Sequence, residues 1–183
     1  MHRFIFSAIG IFFAVSCSCA QGTPLACQES ALPEGVRAAL SSQYAEWQIE
    51  TLRDLNADYL KAWAAKRTNQ CPGIAVGHFE SKIDLSYALL LISRDKGRAG
   101  YKFLVFSRKS SKDAFTPNIL EQDDKSASGN SAISRVDPGL EFDEEKFAAF
   151  KLKSEGIHLE FFEGSGFIYY WKNGHYERVV ESD

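Results

Sequence analysis

The chain has a single methionine and five prolines in 183 residues, and no surplus of basic charge, with 21 Lys and Arg against 24 Asp and Glu. A protein that grips a nucleic-acid backbone needs a basic excess, so generic nucleic-acid binding is excluded. No G-x-G-x-x-G run and no Walker-type phosphate loop occurs, which removes the common nucleotide cradles. No H-E-x-x-H, H-x-H or C-x-x-C spacing occurs, and a metal needs three or four convergent ligands, so neither cofactor nor metal is expected. Beyond residue 20 no apolar run is long enough to cross a bilayer, and the run Tyr87 to Ile92 has the length of a strand.

What is present begins with an address. Met1-His2-Arg3 precedes an uncharged, apolar and small-residue stretch from Phe4 to Cys19, which ends in Ser18-Cys19-Ala20. A basic start, a short apolar core and a small-x-small end are the three parts of a secretory signal, with cleavage expected after Ala20. Two alternatives stand beside it. One is a retained anchor; the other is lipidation of Cys17, since Val15-Ser16-Cys17 resembles part of a bacterial lipobox, with Ala14 where Leu is usual. Cleavage removes Arg3 as the only charged side chain and leaves Gln21 as the mature N-terminus of a periplasmic or secreted protein. Cys17 and Cys19 leave with the leader. Cys27 and Cys71 remain, and an even pair in an oxidising compartment predicts a disulfide.

Periodicity divides the mature chain into an N-terminal tail at residues 21–30 and a single domain at 31–183. A helix is expected from Pro33 to about Gln43, with Val36, Ala39 and Leu40 on one face. Trp47 to Glu50 alternates like a short strand, and a second helix runs from Asn56, a natural N-cap, to Lys66-Arg67. Strands follow at Ile74 to Phe79, Tyr87 to Arg94 and Tyr101 to Arg108; Leu89 to Ile92, apolar on both faces, is the expected central strand. A short helical turn is predicted around Phe115 to Leu120, a loop from Gln122 to Ser131 and a short helix from Asp143 to Leu152. The end reads as a three-stranded meander, Ile157 to Phe161, Phe167 to Trp171 and His175 to Val180, with Asn173-Gly174 as a type I′ turn. The expected fold is α+β: an antiparallel sheet of about six strands with two N-terminal helices packed on one face.

Chemistry-bearing residues are scattered. His78, His158 and His175 fall on strands or their ends, Gly164-Ser165-Gly166 lacks the context of a nucleophile elbow, and Glu141, Asp143, Glu144 and Glu145 read as a helix start. Arg108-Lys109-Ser110-Ser111-Lys112 is a basic cluster in a loop. The strand Phe167 to Trp171 is aromatic or aliphatic on both faces, which makes Tyr169, Tyr170 and Trp171 the expected partner-binding residues.

Gly77-His78-Phe79-Glu80-Ser81-Lys82-Ile83-Asp84-Leu85-Ser86-Tyr87-Ala88 resembles a degenerate FG-GAP-type hairpin, the family whose loop aspartates chelate calcium. His78, Glu80, Lys82 and Ser86 occupy those positions, and a Lys among them opposes calcium, which takes six to eight oxygens. With Cys71-Pro72-Gly73 before the hairpin and Tyr170-Trp171 near the end, the chain is similar to small exported bacterial proteins of uncharacterised function. The resemblance implies a scaffold and an address, and no catalytic residue. The expected function is an exported, non-enzymatic binding module, such as an inhibitor or immunity-type protein acting on another extracytoplasmic protein. An enzyme with a site around His78, Glu80 and Tyr87, and an envelope structural protein, are the alternatives.

Overall fold

The structure is a computed structural model that describes residues 27–181 except 96, 109, 111–112, 127–128, 140, 145–146 and 163, with the backbone alone at 141–144 and 147–150. The expected signal segment, most of the tail, Lys109, Ser111, Lys112 and Glu145 lie outside the described residues.

Two helices, α1 (Glu34–Gln43) and α2 (Ala57–Lys66), flank the short strand β1 (Trp47–Ile49). Ten further strands follow: β2 (Ile74–Gly77), β3 (Ser86–Ser93), β4 (Tyr101–Ser107), β5 (Thr116–Asp123), β6 (Ser131–Val136), β7 (Glu141–Glu144), β8 (Phe147–Lys151), β9 (Gly156–Phe161), β10 (Gly166–Lys172) and β11 (His175–Glu181). All pairings are antiparallel. The first sheet has the order β1-β3-β4-β5, with β2 sharing the β1 side of β3; the second has the order β11-β10-β9-β6, and β7 and β8 pair by themselves.

Burial explains the layering. On β3 and β4, Leu89, Leu91, Leu104 and Phe106 meet Val36, Ala39 and Leu40 of α1 on one face, together with Cys27 and Cys71. Leu90, Ile92, Phe103 and Val105 on the other face meet Ile133, Ile157, Leu159 and Tyr169 of the second sheet. Leu89 to Ile92 is thus covered twice, as its unbroken apolar run requires. Each such side chain withdrawn from water contributes about 1.5–3 kcal/mol. The disulfide Cys27–Cys71, with Cα atoms 5.0 Å apart, pins the start of the described chain under α1.

α2 sits on the far side of the second sheet, where Tyr59 and Trp63 pack on Leu55, Ala132 and Phe162. The order of layers is therefore α1, first sheet, second sheet, α2. This corrects the expectation of one sheet of about six strands with both helices on one face: nine strands form two sheets, and the helices lie on opposite outer faces. The expected helical turn at Phe115 to Leu120 is strand β5, which among the described residues pairs only with β4, while the expected loop from Gln122 to Ser131 is shortened at both ends, Gln122 and Asp123 closing β5 and Ser131 opening β6. An edge strand needs apolar residues on little of its surface, so Thr-Pro-Asn-Ile-Leu-Glu-Gln-Asp shows no strand alternation. A register shift opposite Phe103 and Leu104 bends it further. The expected helix at Asp143 to Leu152 is the β7–β8 pair.

The start of α2 is tied to the approach to β6. The Asn56 side-chain oxygen accepts from the Tyr59 N–H at 2.8 Å, while its amide nitrogen donates to the Asn130 side-chain oxygen at 2.6 Å. Beside it lies Glu50, 0% exposed, whose Oε1 accepts from the Gly129 N–H at 2.8 Å and whose Oε2 has no partner. Burial first, and then the charge of Asp54, push its carboxyl up to about 8.

Candidate functional site

Alternation along the second sheet sends Ile133, Ile157, Leu159 and Tyr169 inward, so Ser134, His158, Glu160, Gly166 and Ile168 face outward, Glu160 beneath α2 and Ile168 against Leu152 and Val179. On α2, Tyr59 and Trp63 are four residues apart, and Arg67 follows at the same spacing just past the helix end, so all three share the face over Glu160. Arg67 grips Glu160 with both terminal nitrogens, at 2.8 and 2.9 Å, and the Tyr59 hydroxyl donates to the same carboxylate at 2.8 Å. The Arg67 guanidinium also lies 4.5 Å from the Trp63 ring centre. A two-pronged, charge-assisted pair of this kind fixes orientation as well as energy. Burial and the adjacent Glu160 charge push the Tyr59 phenol far up, so it remains a donor.

His158 sits beside this pair. Its side chain is 12% exposed, with Nδ1 3.6 Å from Glu160 Oε2 and Nε2 2.7 Å from Glu181 Oε2, the latter without hydrogen-bond alignment. Burial pulls the imidazole below its ordinary range, against the upward pull of Glu181 and Glu160. Gly166 makes room for it: a Cβ there would stand 2.2 Å from His158 Nε2. Between the end of α2 and this face opens a cleft of about 480 Å³, walled by Tyr59, Trp63 and Lys66, floored by His158 and Glu160, and closed by Glu181. Gly164 brings exposed backbone to its rim, while Gly166 lies buried against His158.

The residues singled out from sequence are dispersed. Tyr169 is 4% exposed and faces the first sheet, where its hydroxyl meets the Glu121 carboxylate. Glu121 also accepts from the Tyr101 hydroxyl at 2.6 Å and from Arg178 at 3.0 Å, a clasp between the two sheets. Tyr170 lies half-exposed on the opposite face and donates to Glu177 at 2.9 Å, while Trp171 is edge-on to Tyr176 with ring centres 5.0 Å apart. Burial accordingly leaves Tyr170 and Trp171, on opposite faces, as the accessible members of the set.

His78, Glu80 and Tyr87 do not converge. The His78 backbone N–H donates to Glu155, Glu80 stands beside the buried phenol of Tyr176, and Tyr87 packs edge-on to Phe115 on the α1 side. His175 is exposed near Glu177, and among the described residues no group of three or more His, Cys, Asp and Glu side chains is arranged to hold a metal.

The cleft residues escaped sequence reasoning because they are far apart in the chain and none belongs to a motif. Two signals were present. Tyr59, Trp63 and Arg67 form a stripe that ends in a cation, and His158 and Glu160 alternate with Ile157, Leu159 and Phe161 on a strand whose polar side would otherwise face water. Comparison with family models, with curated proteins and with solved structures finds no match to this chain.

Proposed function

We propose that this chain is an extracytoplasmic binding module that holds a small ligand in the cleft between α2 and the outer face of the second sheet. The observation that carries the reading is the state of the cleft floor. Arg67, Tyr59 and Glu160 are locked on one another by three hydrogen bonds of 2.8–2.9 Å, so the polar groups are oriented before any ligand arrives. Such preorganisation lowers the cost of binding. The cleft volume of about 480 Å³ falls within the roughly 300–1,000 Å³ of small-molecule sites. The placement outside the cytoplasm is supported by the leader pattern of residues 1–20 and by the Cys27–Cys71 bridge. Among the described residues no helix is long and apolar enough to cross a membrane.

The test is a screen of small-molecule mixtures by ligand-observed NMR, with each hit mapped on the amide and indole signals of the protein. Hits should move the Trp63 indole signal and lose affinity in Ala62→Trp, which fills the cleft from an exposed helix position. Hits that map elsewhere, or that bind Ala62→Trp unchanged, overturn the reading.

The half-exposed Tyr170 and Trp171 support a second reading, in which the end of the β10–β11 hairpin docks on another exported protein and blocks it. Tyr170→Ala removes a half-buried ring that donates to Glu177 and packs beside Leu152, Ile168 and Val179, so its capture of a partner, read well below its own melting temperature, should fall. Undiminished capture of an identified partner by that variant would remove this surface.

A further inference from the structure

Resting on the binding reading above, we infer that the cleft takes a small zwitterion, a free α-amino acid or short peptide, held at its carboxylate by Lys66 and at its ammonium by Glu181. The charges of the site dictate this class. Arg67 and Glu160 cancel each other through their two-pronged pair and have no formal charge to offer. Lys66, exposed in the last turn of α2, makes no ion pair among the described residues. Glu181, with 43% of its side chain exposed, lines the cleft, and its close neighbour His158, with Nε2 at 2.7 Å, stands without hydrogen-bond alignment to it.

The cleft is thus divided, with a cation that has no ion pair among the described residues on the helix wall and a carboxylate without an aligned hydrogen bond from His158 at the end of β11, where Glu181 lies opposite Gly166. An anionic ligand would leave the carboxylate unmatched, a cationic one the lysine, and an uncharged one both. A zwitterion matches both ends at once. Its apolar body would lie against Tyr59 and Phe162, whose rings stack with centres 5.2 Å apart, and the exposed backbone at Gly164 permits close approach.

The experiment titrates the oxidised mature protein with alanyl-leucine, its N-acetyl derivative, its C-terminal amide and maltose, following the Trp63 indole and the Gly164 and Gly166 amide signals. The free dipeptide should shift them saturably. Blocking either end should weaken binding about tenfold, the size of one partly desolvated charge-assisted contact. Lys66→Gln should weaken the free dipeptide but not the amide, and Glu181→Gln should weaken the free dipeptide but not the N-acetyl form, because each variant and each block removes the same contact. Equal binding of blocked and free dipeptide, or shifts with maltose alone, overturns the zwitterion while leaving the cleft a ligand site. Silence from every probe also overturns it, and the binding reading falls with it only if the mixture screen is silent too.

Discussion

Glu50 makes a measurable signature in the pH dependence of stability. Its carboxyl is fully buried, accepts one hydrogen bond from the Gly129 N–H and is raised from 4.5 to about 8, chiefly by burial. Below pH 4.5 the carboxyl is protonated in both the folded and the unfolded chain and contributes nothing to the pH dependence. Between about 4.5 and 8 the unfolded chain releases the proton and the folded chain keeps it, so the unfolded state binds fewer protons and stability falls as pH rises. Above 8 both forms are ionised and the loss levels off. At about 1.4 kcal/mol per pH unit across that window, the full loss is at most about 5 kcal/mol.

Glu50→Gln keeps a carbonyl for the Gly129 N–H and cannot titrate. Urea unfolding of the two oxidised proteins at pH 4, 6 and 8 should show the stability difference moving by several kcal/mol in favour of Glu50→Gln as pH rises. Any constant offset from the extra amide N–H cancels in that movement, as do the titrations of other carboxylates. A difference that stays constant from pH 4 to 8 would refute the reasoning, because it would mean that Glu50 titrates in the folded chain as it does in the unfolded one.

Replacing both Cys27 and Cys71 by Ser opens a bridge that spans 44 residues, which should cost about 4 kcal/mol in the chain-entropy model and lower the urea midpoint accordingly. Gly166→Ala should destabilise by about 1–3 kcal/mol, because its Cβ would stand 2.2 Å from His158 Nε2. Most of that cost should vanish in the His158→Ala background, and strict additivity of the two changes would show that the imidazole is not what Gly166 accommodates. Replacing Asn173-Gly174, at φ +52° and +87°, by Val-Val should destabilise the β10–β11 hairpin, and an unchanged melting temperature would count against the turn as a staple. Intact mass of the exported protein should correspond to a start at Gln21, and a diacylated Cys17 would overturn the cleavage assignment.

Local signals were legible wherever one element met one continuous apolar surface. α1 follows from Val36, Ala39 and Leu40, and α2 from Asn56 and the pair Tyr59 and Trp63. The twice-covered β3 follows from Leu89 to Ile92, and the meander β9-β10-β11 from its alternation and Asn173-Gly174. Strand β5 was illegible because its edge position leaves it largely solvated, and its strand character comes from hydrogen bonds to β4 rather than from a pattern of its own. Strand β6 was hidden by a polar approach, and it joins the second sheet only through β9, more than twenty residues later in the chain.

The amino-acid sequence by itself determined the local elements, the central strand and the cysteine pair, because periodicity, capping, turn chemistry and parity act over a few residues or need no geometry at all. Only the tertiary structure decided that the strands form two sheets, that the helices lie on opposite outer faces and that Tyr169 is buried in a clasp around Glu121. The cleft belongs to the same class. Arg67 and Glu160 are 93 residues apart in sequence, and their meeting depends on which face of which sheet α2 covers, a choice made by the packing of Tyr59 and Trp63 on Ala132 and Phe162.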